Sequence, residues 1–267
     1  MKKTLTILAL TAVMALFLVS SATAGSTLDR IKKKGELVVG ITGSQPPLNA
    51  TAKDGRILGL EGDLARLMGS GMGVEVKFVK KPFNKLLPAL ESGMVDVIMS
   101  SMTMTPKRNL NVAFVGPYYI SGKGILTKYE HIGKLQKPQG LNSPDFRVVT
   151  LKDSTSEAFV KSAAPNAKLV TVGSYKEGLD KLMKNEVEAL VADYPYCAVS
   201  AFRYQDKGLT AGESRLTFEP IGVAMPEDTL LINWTTNFLN ALQASGTLEG
   251  LTKKWFTDGS WLKELPE

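Results

Sequence analysis

One cysteine and one histidine in 267 residues remove most metal and nucleophile chemistry from consideration. Cys197 stands in an apolar run, Tyr196 to Phe202, and reads as a small core residue. A single cysteine allows no intrachain disulfide. His131 lies far from it in a polar connection, so neither a zinc site nor a Cys-His pair is expected, and no cofactor is called for. The chain also lacks an apolar run long enough to span a bilayer. Leu5 to Val19 is apolar but too short; it follows Lys2 and Lys3 and precedes Ala22-Thr23-Ala24. That is the pattern of a secretory leader, expected to be cleaved after Ala24 and to deliver the protein to the periplasm. No cysteine near the cleavage site invites a lipid anchor. There is no basic stripe interleaved with aromatics, because the cations come in short pairs such as Lys80-Lys81, Lys107-Arg108 and Lys253-Lys254. Nucleic-acid binding is therefore not expected. The net charge of +6 falls to +4 without Lys2 and Lys3, since no acid precedes Gly25. So mild an excess suits solubility and the attraction of small anions equally.

What is present is an alternation of strands and helices. The spacing predicts helices at Thr27 to Lys34, Asp63 to Met68, Asn84 to Glu91, Ser156 to Ala163 and Tyr175 to Lys184. Strands are predicted at Leu37 to Ile41, Val74 to Val79, Val95 to Met99, Arg147 to Leu151, Leu169 to Val172 and Val187 to Ala192. The glycines at 69, 71 and 73 are expected to break the second helix. A polar link near 133–145 separates two such series. This pattern implies α/β lobes around mostly parallel sheets.

The segment from Asp96 to Arg108 carries the strongest local signal. An apolar strand ends in Ser100, Ser101 and Thr103, then Thr105 reads as a helix N-cap with Pro106 at the first helical position. Arg108 falls in that first turn, where the helix dipole disfavours a cation. Strand-end hydroxyls, helix N–H groups and one guanidinium together suit a carboxylate. A surface arginine in a solvated turn is the other reading.

The pattern of Leu87 to Ser101 repeats in Leu179 to Asp193: a helix, a Gly or Asn turn, a strand, then polar residues at the strand's carboxyl end. Ligands of open α/β sheets bind beyond such ends. Ser101 and Asp193 thus hold equivalent places in two lobes, one beside an arginine and one a carboxylate. A zwitterion such as an α-amino acid fits between them. Asp193 can equally serve as N-cap of a helix from Tyr194 to Phe202.

The chain resembles the family 3 periplasmic solute-binding proteins, the amino-acid receptors of ABC importers. The resemblance rests on Gly35-Glu-Leu-Val-Val-Gly40, Gly59-Leu-Glu-Gly-Asp-Leu64, Leu86 to Gly93, Val95-Asp96, Thr103-Met-Thr-Pro-Lys-Arg108, Phe114 with Pro117-Tyr118-Tyr119, and Ala241 to Phe256. It implies the two-lobed type II fold, with lobe 1 from 25–128 plus 217–267 and lobe 2 from 129–216. The hinge crossings are expected near Ile125 to Lys128 and Phe218 to Ala224. It implies a monomer that captures an amino acid or similar small zwitterion and hands it to a membrane permease. By the same resemblance Arg108 clamps the ligand carboxylate. Ser101 and Thr103 bind carboxylate and amine, and Asp193 takes the amine. Thr155 and Ser156 complete the carboxylate site, Phe83 packs on the ligand, and Lys152 reaches its side chain.

The departures bear on the ligand. The loop Thr42-Gly-Ser-Gln-Pro-Pro-Leu48 has Gln45 where many members carry an aromatic, and Ser154 replaces a common glycine. Thr42 and Gln45 offer neutral hydrogen-bonding groups and Lys152 a positive charge, so a neutral or polar amino acid is expected, acidic ones next and basic ones poorly. Two alternatives remain: an enzyme like the cyclohexadienyl dehydratases of the same family, which would need a general acid besides Asp193, and a protein delivering ligand to a separate sensor. The residues just after Asp193 supply only Tyr194, Tyr196 and Cys197, and an enzyme is not the expected outcome.

Overall fold

The computed structural model describes residues 26–137 and 139–266; the expected leader and its expected cleavage site lie outside them. Among the described residues no helix is long and apolar enough to cross a membrane.

Helix α1 (Thr27–Lys34) starts where Ser26 accepts a hydrogen bond from the Asp29 N–H at 3.1 Å, and stops at Gly35, whose φ of 65° suits glycine. Only Ile31 of this helix is buried, and Lys32, Lys33 and Lys34 sit in the last turn, where the dipole favours cations. Strands β1 (Glu36–Ile41), β2 (Ser44–Gln45), β3 (Asn49–Thr51) and β4 (Ile57–Leu58) follow. Helix α2 (Leu60–Met72) does not break at Gly69 or Gly71 as the sequence suggested. A Cβ at Gly69 would lie 2.4 Å from Val76 Cγ2. The glycine therefore serves close approach of the helix to strand β5 (Glu75–Lys80), and only Gly73, with φ 69°, ends it.

A 3₁₀ turn at Phe83–Lys85 leads into α3 (Leu86–Glu91), then β6 (Val97–Ile98), α4 (Pro106–Asn109) and β7 (Ala113–Ser121). The second series runs β8 (Lys123–Lys128), α5 (Tyr129–Leu135), β9 (Arg147–Leu151), α6 (Thr155–Ala163), β10 (Lys168–Val172), α7 (Tyr175–Met183), β11 (Ala189–Asp193), α8 (Tyr194–Arg203) and β12 (Leu209–Ala211). The chain then returns through β13 (Glu219–Met225) to α9 (Thr229–Ala244) and α10 (Thr247–Phe256).

Two five-stranded sheets result, ordered β5-β1-β6-β13-β7 and β10-β9-β11-β8-β12. Each has three parallel strands followed by an antiparallel partner. The repeat in the sequence is thus a repeat in topology: β6 and β11 are the third strands of their sheets, and Ser101 and Asp193 emerge from equivalent ends. Wholly buried Leu37, Val39, Leu64 and Met68 anchor the first lobe, and truncating such a leucine costs about 2–5 kcal/mol.

The crossing differs from expectation. β8 pairs with β11 and β12 in the second sheet, so 123–128 belong with lobe 2 and the outgoing crossing is at Ser121–Lys123. The returning segment lies beside it: Lys123 N–H donates to Thr217 Oγ1 at 3.0 Å, and Glu219 is the register partner of Ser121. The sequence misplaced the boundary because Lys123 to Lys128 continues the apolar pattern of β7 without a turn.

Candidate ligand-binding cleft

Thr105 and Pro106 act as their types dictate. Thr105 Oγ1 accepts the Arg108 N–H at 3.2 Å, and Pro106 opens α4. This turns the half-buried Arg108 side chain back toward the strand end, where Nη1 donates to the Thr103 carbonyl at 2.9 Å. The guanidinium lies over the Phe83 ring, 5.5 Å from its centroid. Phe83 therefore supports the arginine through a cation–π contact. Arg30, Arg56, Arg66 and Arg147 form ion pairs, whereas Arg108 has none among the described residues. Burial lowers its pKa, opposed by the negative charges of Glu219 and Asp193.

Ser101 has φ 51°, a left-handed conformation rare for a residue with a side chain. Its N–H donates to Glu61, while its Oγ, in a residue only 3% exposed, has no hydrogen-bond partner among the described residues. Thr103 Oγ1 and Thr155 Oγ1 are 3.3 Å apart, so the first lobe touches the start of α6 on the second. Ser154 causes no distortion there. It is the N-cap of α6, accepting the Glu157 N–H at 3.2 Å, and the left-handed position falls on Asp153. Thr155 and Ser156 form the first turn of α6, whose N–H groups lack intrahelical partners.

Asp193 ends β11 but makes no capping hydrogen bond to α8. Its Oδ1 accepts instead from Lys123 Nζ at 2.7 Å, and that Nζ is 3.6 Å from Glu219 Oε2. Sequence reasoning missed Lys123 and Glu219. The available signal was a lysine held between Gly122 and Gly124 at the start of a strand.

Three expected contacts fall elsewhere. Lys152 is exposed at the end of β9 and supplies no buried charge. Thr42 and Gln45 lie in one polar cluster: the Thr42 hydroxyl has Gln45 Oε1 at 3.1 Å and Asn49 Oδ1 at 2.9 Å as acceptors for its single proton, and Ser100 Oγ accepts the Thr42 N–H at 2.9 Å. Asn49 links this network to Glu61, which also accepts from Tyr118 OH. Desolvation pushes the Glu61 carboxyl up to about 7, against these hydrogen bonds. A cavity of about 640 Å³ opens between the β2–β3 region and helices α7 and α8, lined by Lys128, Lys176, Tyr196 and Arg203 among others. None of Arg108, Ser101, Thr103 or Asp193 borders it. The chemistry expected of the cleft is in the buried groups.

Residues 37–258 match the family model of the bacterial extracellular solute-binding proteins, family 3. The L-cystine-binding protein TcyJ of Escherichia coli (strain K12) is 26% identical over 257 residues, covering 93% of this chain and 94% of that protein. Among solved structures, the ancestral amino acid-binding protein AncCDT-1, a precursor of cyclohexadienyl dehydratase, is 34% identical with a TM-score of 0.80, covering 86% of this chain and 100% of that one. A putative ABC-transporter binding component from Wolinella succinogenes, complexed with lysine, is 31% identical with a TM-score of 0.81, covering 86% and 99%.

Proposed function

Because the chain belongs to the bacterial extracellular solute-binding proteins, family 3, we propose that it captures an amino acid or similar small zwitterion between its two lobes and delivers it to the membrane permease of an ABC importer. The fold is the two-lobed type II arrangement of α/β lobes. One observation carries the reading: Arg108 is a desolvated cation with no carboxylate partner among the described residues, set between a strand end and the facing lobe. A ligand carboxylate supplies the missing anion. Ser101 Oγ, Thr103 and the first N–H groups of α6 surround it, and Asp193 with Lys123 forms the opposite pole. The protein acts in the periplasm after cleavage of its leader, as a monomer and without catalysis.

Relatives named for cystine and arginine, and a neighbour holding lysine, make ligand class the discriminating question. Here Asp193 and Glu219 balance Lys123 and Arg108, so a cationic ligand side chain finds no spare carboxylate among these groups. Titration calorimetry with glutamine, glutamate, arginine and lysine at one salt concentration is expected to rank glutamine or glutamate above the basic pair by tenfold or more. Tightest binding of arginine or lysine overturns the ligand class; no binding of any small carboxylate overturns the function. An enzyme on this frame would need a general acid in the cleft besides Asp193, and assay of the purified protein for prephenate turnover is expected to give none.

A further inference from the structure

Lys123, Asp193 and Glu219 form a buried triad at the crossing, each less than a tenth exposed. Lys123 Nζ stands between the two carboxylates, 2.7 Å from Asp193 Oδ1 and 3.6 Å from Glu219 Oε2. One cation between two anions leaves the triad with one negative charge in excess. Arg108 senses both carboxylates, whose charges oppose the lowering of its pKa by burial.

Glu219 is aimed by the chain around it. Thr217 Oγ1 accepts the Lys123 N–H at 3.0 Å and donates to Glu219 Oε1 at 3.2 Å. One hydroxyl thus ties the carboxylate to the backbone of the lysine that it faces. Glu219 lies in the first sheet, as register partner of Ser121, whereas Lys123 and Asp193 pair within the second. The carboxylate therefore reaches Lys123 from the other lobe.

With a zwitterion in the cleft every charge finds an opposite one. The ligand carboxylate pairs with Arg108. Glu219 balances Lys123, and Asp193 is left to the ligand ammonium, which can use Oδ2 because Lys123 takes Oδ1. Charges then alternate along the row of ligand ammonium, Asp193, Lys123 and Glu219, so that each has an attractive neighbour. Take Glu219 away and Lys123 would cancel Asp193 by itself. A desolvated ligand ammonium would then meet no net negative charge, which is costly in a buried site.

We propose that Glu219 is a positioning residue for recognition of the ligand amine: as counter-ion to Lys123, it keeps Asp193 negative toward the α-ammonium of a bound amino acid. This deepens the preceding reading and rests on it. The test is titration calorimetry of the purified protein at pH 6, below the Glu61 pKa of about 7, so that Glu61 adds little charge. The standard amino acids are titrated first. The tightest is carried into the variants together with the same acid lacking its amine, which is read by displacement. Glu219→Gln is expected to weaken the amino acid at least tenfold and the amine-free acid less than threefold. Removing the lysine as well, in Lys123→Met/Glu219→Gln, is expected to bring the amino acid back to within threefold of the unsubstituted protein, because Asp193 again carries an unmatched charge. A loss below tenfold in Glu219→Gln, or an equal loss for the two acids, overturns the proposal. So does a double variant that stays outside the threefold range in either direction. The double variant leaves no buried lysine without its counter-ion, and it decides by itself if Glu219→Gln fails to fold or the amine-free acid displaces nothing. Binding of an amino acid by the unsubstituted protein with any of these failures leaves the preceding reading standing; no binding of any amino acid removes both.

Discussion

Arg108→Ala is expected to abolish ligand binding and leave the protein folded. The side chain's contacts within the chain are few: one hydrogen bond to the Thr103 carbonyl and the face of Phe83. Losing them costs about 1–2 kcal/mol of stability. Its larger contribution belongs to the complex. Removing one partner of a desolvated charge pair costs about 3–5 kcal/mol, which at about 1.4 kcal/mol per decade weakens binding by roughly two to four decades. Calorimetry reads the loss and a thermal melt checks the fold. Arg108→Lys is expected to bind poorly too, because an ammonium lacks the two-pronged donor geometry that a carboxylate accepts. Near-normal affinity in either variant would sink the carboxylate assignment.

The second large effect is one of pH, and it comes from Glu61. This carboxyl is wholly buried and its pKa is raised from the ordinary 4.5 to about 7 by desolvation. The folded state thus favours the protonated form. Its contribution is fully present below about pH 4.5 and is lost as pH rises toward about 7, then stays level. The gap of about 2.5 units corresponds to about 3 kcal/mol. Asp228 and Glu188, held low by hydrogen bonds to backbone N–H groups and to Arg147, act in the opposite sense at lower pH. The effect is therefore read as a difference. Glu61→Gln keeps a neutral group of the same shape and should lose less stability than the parent between pH 5 and pH 8, by about 3 kcal/mol in urea unfolding. Parallel curves would show that Glu61 is not held neutral. Because Glu61 accepts the Ser101 N–H, its ionisation also bears on the strand end where the cleft begins.

Sequence was most informative where the physics is local. Thr105, Pro106 and Arg108 could be read in place because a cap, a first-turn proline and a misplaced cation are each judged from a few neighbours. The place of Asp193 at a strand end was legible in the repeated pattern, and the two sheets repeat the same strand order. What stayed hidden depends on partners far along the chain. Lys123 meets Asp193 across 70 residues and Glu219 across the returning strand, and nothing in Gly122-Lys123-Gly124 names them. Gly69 resembled a helix breaker because the residue it makes room for, Val76, lies on the next strand. Phe83, Thr42 and Gln45 were expected to face a ligand. The structure sets Phe83 beneath the arginine and ties the other two to their neighbours, contacts that no linear spacing reveals.

Gly122 has a consequence of its own. Where the outgoing chain passes the returning one, the nearest atom to the missing side chain is the Thr217 carbonyl oxygen, at 2.2 Å from where a Cβ would be. Main chain rests against main chain at the pivot. The resting angle between the lobes is then set by backbone thickness, and a single methyl group at that point would act as a wedge. Change there would alter how far the jaws open, and because Gly122 adjoins Lys123 and its carbonyl accepts the Tyr194 N–H, it would also reach the strand end at Asp193.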